Sequence, residues 1–150
     1  MLAAVELRGP VNALPKLPPG VRIFVEQPWG SGFDIPAGTL LKLRCGGAVV
    51  PTIGQLGAAI AHCVEHTLPF KLTAGLHHAV VSDTGHGFVN VLAAVDAALA
   101  GEDPVPVLAQ RDPEGLFVRD PAAVRRLFLS IGTCDIDEPL TDLRALGWLA

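Results

Sequence analysis

The stretch TLLKLRCGGAVVPTIGQLGAAIAHCVEHTLPFKLTAG, residues 39–75, decides the fold class of this chain. An apolar run at 39–45 ends in a glycine pair, and a second short apolar run follows at 70–75. Between them, Thr52 and Gln55 have the spacing of a capping box, which predicts the start of a helix. The apolar positions that follow fall on one helical face: Ile53, Leu56, Ile60, Cys63 and Val64. Strand, helix and strand in this order predict a βαβ unit with a parallel strand pair.

The rest of the chain extends this pattern. We predict strands at 3–7 and 21–29, and helices from about 87 to 101, 121 to 130 and 139 to 146. The segments 106–110 and 115–120 fit either strands or an extended crossing. Four or five strands and three or four helices predict an α/β fold with a mostly parallel, partial (β/α)-barrel-like sheet. A closed eight-stranded barrel takes about 250 residues, so an open sheet fits equally well.

Composition limits the classes of function. The chain has 150 residues, enough for the single α/β domain that we predict for 1–150; the C-terminal half of a longer barrel ancestor is the alternative. A net charge of −4 without a basic stripe argues against a nucleic-acid partner. No apolar run reaches the about 18 residues that a membrane span needs. Three cysteines without zinc-ligand spacing favour a reduced, cytoplasmic protein. Half of the residues are hydrophobic, which predicts apolar surface for a homodimer.

Four sequence blocks resemble a family of uncharacterised bacterial proteins, often longer than this chain. They are LLKLRCGG, PFKLTAGLHH, HGFVNVLAA and FLSIGTCDIDEPLTDLRALGWL, and they cover roughly residues 39 to 149. Their shared patterns are KxRxGG, FKxTAGLHH, HGFxN and GxCxxxEP. This resemblance implies no established activity.

A second resemblance, to barrel strands of the enolase superfamily, rests on two short patches. These are FVEQP at 24–28 and the strand that ends in the glycine pair. The resemblance implies barrel-type architecture. Of the superfamily's metal-binding carboxylates on successive strands, only Glu26 matches here, because Lys42 and Arg44 stand where acidic residues would follow.

Charged side chains share one face of the predicted sheet, because side chains alternate along a strand. The residues on that face are Glu6, Glu26, Lys42, Arg44 and Lys71, with Thr73 beside them. A buried charge costs several kcal/mol unless it is paired, so these charges form a mutual network or hold a ligand. Three converging cations favour a small carboxylate or phosphate. We therefore predict substrate binding by Lys42, Arg44 and Thr73.

Two adjacent histidines, His77 and His78, follow the strand at 70–75, on the side of an α/β sheet where ligands bind. Either one is a candidate general acid or base, because its pKa lies near neutrality. The alternative is a structural histidine that hydrogen bonds a loop carbonyl. We predict a catalytic set of His77, His78, Lys71 and Glu26.

The segment after the histidine pair adds Asp83, His86 and Asn90. We predict that Asn90, one helical turn beyond His86, binds substrate. Imidazole and carboxylate groups of this kind also hold metals. The spacing matches no standard zinc signature, so we predict no metal ligand but leave a metal near His77, His78, Asp83 and His86 open.

Together these features predict a barrel-type enzyme or enzyme half that binds a small anionic metabolite. The reaction class would be a lyase or isomerase step in which a lysine or histidine moves a proton. The alternative is a non-catalytic, self-associating domain whose charged sheet face is a structural ion-pair network or a subunit interface. The sequence identifies no cofactor.

Overall fold

A computed structural model describes residues 2–30 and 32–150. Its sheet contains β1 (Ala4–Arg8), β2 (Arg22–Glu26), β3 (Leu40–Arg44), β4 (Phe70–Thr73) and β5 (Phe128–Gly132). The strands lie side by side in chain order, and every neighbouring pair is parallel. This confirms the predicted α/β class and the partial barrel-like sheet. In the described part of the chain the sheet is open, with β1 and β5 at its edges.

The helices are α1 (Ile53–Glu65), α2 (Phe88–Leu99), α3 (Pro104–Leu108), α4 (Pro121–Leu127) and α5 (Asp137–Ala145). The capping box predicted at Thr52 and Gln55 is present, with both reciprocal hydrogen bonds formed. Asp120 caps α4 by accepting a hydrogen bond from the Ala123 backbone. Side-chain caps of this kind satisfy backbone N–H groups that have no partner within the helix.

Two predicted elements differ from the structure. The segment 106–110, predicted as a strand or an extended crossing, lies mostly in α3, where Asp103 caps the helix and Pro104 occupies its first turn. The helix predicted at 121–130 ends at Leu127, and β5 begins at Phe128. Pairing with β4 and burial of Phe128 therefore override the helical pattern there.

The core lies between the sheet and the helices. Leu41, Leu43 and Leu72 of β3 and β4 are buried, and their side chains alternate with the charged ones along each strand. The helical side of this core consists mainly of Leu56, Ile60, Cys63, Val91 and Val95. Helices therefore cover one face of β3 to β5, which leaves the charged residues on the opposite face.

The turns after β3 and β4 pack backbone against backbone. A Cβ atom at Gly46 would lie 2.6 Å from the backbone nitrogen of Gly75, so a side chain there would displace the neighbouring turn. Gly75 has a φ of 71°, in the left-handed region that favours glycine. This close approach brings the C-terminal ends of the two strands together.

The connections from β1 to β2 and from β2 to β3 differ from the later ones in secondary structure. In their described residues they contain no helix, unlike the connections that carry α1 and α2. Val5, Leu7 and Ile23 are accordingly only half-buried. Among residues 2–30 and 32–150, no helix combines the length and apolar character needed to cross a bilayer.

Candidate functional site

The sheet face opposite the helices, here called the inner face, collects charges from four strands. Its charged residues are Glu6, Arg8, Arg22, Glu26, Lys42, Arg44 and Lys71. Strand register places Glu26 beside Lys42, Lys42 beside Lys71, and Lys71 beside Ser130. Neighbours in register share a face of a parallel sheet, so one continuous polar row crosses the strands.

Lys42 lies at the centre of the inner face, and its side chain is only 3% exposed. Its Nζ atom is 2.5 Å from Glu6 Oε2 and 2.7 Å from Glu26 Oε2. The approach to Glu26 lacks hydrogen-bond geometry, so that contact is an ion pair only. Two carboxylates thus compensate the cost of burying this ammonium group.

Glu6 joins β1 to the two lysine-bearing strands. Its other carboxylate oxygen accepts a hydrogen bond from the Lys71 ammonium. That ammonium also lies 4.4 Å from the centre of the Phe24 ring. Hydrogen bonds from Lys42 and Lys71 lower the pKa of Glu6 to about 2. Glu6 is therefore ionised across the physiological pH range, although its side chain is 41% exposed.

The three arginines complete the charge of the inner face. Arg8 and Arg44 lie 3.5 and 3.9 Å from Glu26, and Arg22 lies 5.8 Å from the centre of the Phe24 ring. Five cations therefore face two carboxylates, a formal excess of three positive charges. The whole chain carries a net charge of −4. The inner face is thus positive on a negatively charged protein, which favours an anionic occupant.

A cleft of about 980 Å³ opens at the C-terminal ends of β1 to β3. Glu26, Asp34 and Arg44 supply its charged lining, and Trp29 donates a 2.6 Å hydrogen bond from its indole nitrogen to the Arg44 carbonyl. The apolar lining includes Val11, Ile35 and Val49. This edge is where barrels and open α/β sheets bind ligands. Sequence reasoning missed Trp29, although an indole at the end of the strand predicted for 21–29 was an available signal.

The two histidines meet carboxylates of α5. His77 Nδ1 lies 2.7 Å from Glu138 Oε2, and His78 Nδ1 lies 3.1 Å from Asp142 Oδ2. Glu138 and Asp142 are four residues apart, so they lie on one side of the helix. The Ala79 backbone also donates to Asp142. These contacts hold α5 against the segment that follows β4. Neither histidine lines the cleft. Their predicted role in proton transfer stays a prediction.

The remaining predicted binding residues lie in two different surroundings. Thr73 is half-buried on the inner face, in register with Arg44. Asn90 is fully buried on α2, where its oxygen accepts from Val81 and its nitrogen donates to the carbonyls of Val107 and Gln110. The structure therefore brings Thr73 together with the inner-face charges and directs the Asn90 amide to backbone groups.

The four residues for which a metal was left open are dispersed among different partners. Asp83 pairs with Arg111, and buried His86 lies 2.7 Å from the Pro51 carbonyl through Nε2. In the described part of the chain, no group of three or more His, Cys, Asp or Glu residues is placed to hold a metal ion.

Comparisons with known proteins give no family assignment. No protein-family model, no curated protein and no solved structure matches the chain. The resemblances to a family of uncharacterised bacterial proteins and to enolase-superfamily strands therefore stay predictions.

Proposed function

We propose that this protein binds a small anionic metabolite at the inner face and the adjoining cleft. In this proposal it is a barrel-type enzyme of the lyase or isomerase kind, which moves a proton next to a carboxylate or phosphate group. The observation that carries the proposal is the excess of cations on the inner face, five against two carboxylates.

Arg44 is the residue that we assign to the anion. Its side chain is 38% exposed and lines the cleft, and its nearest carboxylate, Glu26, is 3.9 Å away. A guanidinium that is loosely paired and open to a cleft is free to form a bidentate contact with a carboxylate or phosphate. Lys42 differs because it is buried between two carboxylates. Its role in the proposal is to hold Glu6 and Glu26 in place.

Glu26 is the residue that we assign to proton transfer. It lines the cleft, and its side chain is 19% exposed beside Lys42 and Arg44. A carboxylate in this position reaches a bound molecule whose anionic group lies on Arg44. His77 and His78 are the further candidates, because a carboxylate of α5 holds the Nδ1 atom of each ring and imidazole exchanges protons near neutral pH.

Calorimetric titration with inorganic phosphate and with pyruvate tests the proposal. We expect saturable binding that weakens with added salt, because surface charges are screened. Arg44→Met should abolish the binding. Arg126→Met, which removes an exposed arginine from α4, is the matched control and should leave it unchanged. Equal binding by both variants would refute the assignment of Arg44.

A second candidate function, a self-associating domain, is favoured by a different observation. Lys42 and Lys71 both contact Glu6, so part of the inner face already satisfies its own charges. In this case the network would be structural, and the open edge strand β1 would pair with another copy. Light scattering that gives twice the mass of 15.7 kDa would favour this function. Failure of both anions to bind would strengthen that conclusion.

A further inference from the structure

The chain has only three lysines, and two of them lie side by side on the inner face. Lys42 and Lys71 are in register on neighbouring strands, whereas Lys16 is exposed in the connection between β1 and β2. Their accessibility differs, because the side chain of Lys71 is 14% exposed and that of Lys42 is 3% exposed. Lys71 is therefore the inner-face amine that a small molecule can reach.

We propose that Lys71 forms an imine with a small carbonyl compound that carries a carboxylate or phosphate group. This inference rests on the proposed function, because the same anion site would hold the charged end of that molecule. It adds the substrate class, a 2-oxo acid or an aldehyde or ketone phosphate, and a covalent role for one residue.

The surroundings of Lys71 fit this chemistry. Catalytic lysines are commonly activated by a neighbouring cation, and Lys42 occupies that position in the next strand. Glu6 contacts the Lys71 ammonium and stays ionised, so it can equally pair with a positively charged iminium. The Phe24 ring lies beneath the same nitrogen. Arg44 is one strand away and two residues further along, within reach of the charged end of a short molecule.

The step balances without a further reactant. The Lys71 ammonium first gives one proton to water, and its lone pair then forms a C–N bond to the carbonyl carbon. The carbonyl π electrons move to oxygen, which leaves as water with the two remaining amine protons. Protonation of the imine makes an electron sink that labilises a bond at the next carbon, and Glu26 on the same face is placed to accept the proton released there.

Reductive trapping tests the inference on the intact chain. The protein is incubated with pyruvate and sodium cyanoborohydride, and mass spectrometry of peptides locates the reduced adduct on Lys16, Lys42, Lys71 or the N-terminus. We expect one adduct, at Lys71. Lys71→Arg should lose it, and that variant keeps the positive charge beside Glu6; circular dichroism checks that it is folded. Methyl pyruvate, the uncharged ester, should label Lys71 poorly, whereas Lys16→Arg should not change the labelling.

The outcomes separate this inference from the proposed function. If pyruvate binds in calorimetry but Lys71 is labelled no more than Lys16, the imine is refuted and the anion site stands. If Lys71 is labelled equally by pyruvate and by methyl pyruvate, the amine is reactive without the anion site, which overturns the inference as stated. If pyruvate neither binds nor labels the inner face, both proposals fail.

Discussion

Two ion-pair networks in this protein differ in what they connect. On the helical side, Asp96 of α2 is buried and accepts a 2.6 Å hydrogen bond from Arg119 Nε. It also accepts hydrogen bonds from the backbone nitrogens of Arg119 and Asp120, at 3.1 and 3.0 Å. Burial raises the pKa of Asp96, but these hydrogen bonds outweigh it and hold the pKa below its ordinary value. This network fixes the path of the chain into α4.

The inner-face network connects side chains only. The contacts of Glu6 with Lys42 and Lys71 join β1 to β3 and β4, which are not its neighbours in the sheet. Its charges are also unbalanced, with cations in excess, whereas Arg119 faces two carboxylates, Asp96 and Glu102. The Asp96 network therefore holds backbone segments together. Among the described residues, the side chains of Glu6, Lys42 and Lys71 bond one another and no backbone group, and cations are in excess around them, so the inner face is the better candidate for a function.

The largest loss of stability is expected for Asp96→Ala. The change leaves two backbone N–H groups and a guanidinium without their buried partner, which should lower the free energy of unfolding by about 3 kcal/mol. Denaturant unfolding followed by circular dichroism measures it. Glu114→Ala, at an exposed acidic residue, is the control and should change stability little. If Asp96→Ala lost no more stability than Glu114→Ala, the Asp96 network would not hold the backbone together as we propose.

A smaller loss is expected for Lys42→Met. The ammonium is buried, but Glu6 keeps Lys71, and Glu26 keeps Arg8 and Arg44. We expect a decrease in unfolding free energy of about 1 kcal/mol, because methionine fills the space and no carboxylate is left without a cation. The same denaturant titration measures it. A decrease as large as that of Asp96→Ala would mean that the inner face also holds the fold together.

The pH dependence of stability tests whether ionised Glu6 stabilises the fold. Its pKa falls from 4.5 to about 2 on folding, because Lys42 and Lys71 hydrogen bond its ionised form. Its contribution is therefore complete above pH 4.5 and is lost as the pH falls towards about 2. Wild type should exceed Glu6→Gln in stability at neutral pH, and the difference should vanish in acid. A difference that stays constant with pH would show that ionisation of Glu6 does not stabilise the fold.

The smallest losses of stability are expected at α5. Within this helix, one carboxylate bonds a backbone group and another contacts a side chain. Asp142 accepts from the Ala79 backbone as well as from His78, whereas the contact found for Glu138 among the described residues is with the His77 side chain. Asp142→Ala should cost about 1 kcal/mol, and Glu138→Ala less than about 0.5 kcal/mol. Hydrogen exchange of α5 amides reports both. The reverse order would contradict the importance of backbone contacts.

Much of the fold was predictable from local pattern. The capping box at Thr52, the glycine turns and the alternation along β3 and β4 all act over a few residues, and the structure confirms them. β5 was missed as a separate strand because its apolar residues continue the helical pattern of α4. Its pairing partner, Phe70, lies far away in sequence. Helix α3 was not predicted because it contains two prolines, although Asp103 before Pro104 is a helix-start signal.

The sequence predicted which residues share the inner face, but not which side chains contact one another. Alternation placed Glu6, Lys42 and Lys71 on one face, which strand register confirms. The excess of positive charge was underestimated, because the first strand was predicted to end before Arg8 and because Arg22 of the second strand was not counted on this face. The attachment of His77 to Glu138 joins residues 61 positions apart, and no local pattern encodes that contact.

The most direct test of the anion site is a titration with inorganic phosphate followed by nitrogen–proton correlation NMR, which suits a chain of 15.7 kDa. We predict saturable shifts confined to the inner-face strands and the cleft, at residues such as Glu26, Arg44 and the Trp29 indole, and their loss in Arg44→Met. Shifts spread over exposed arginines such as Arg126, or no shifts at the inner face, would contradict the proposal that this face binds an anion.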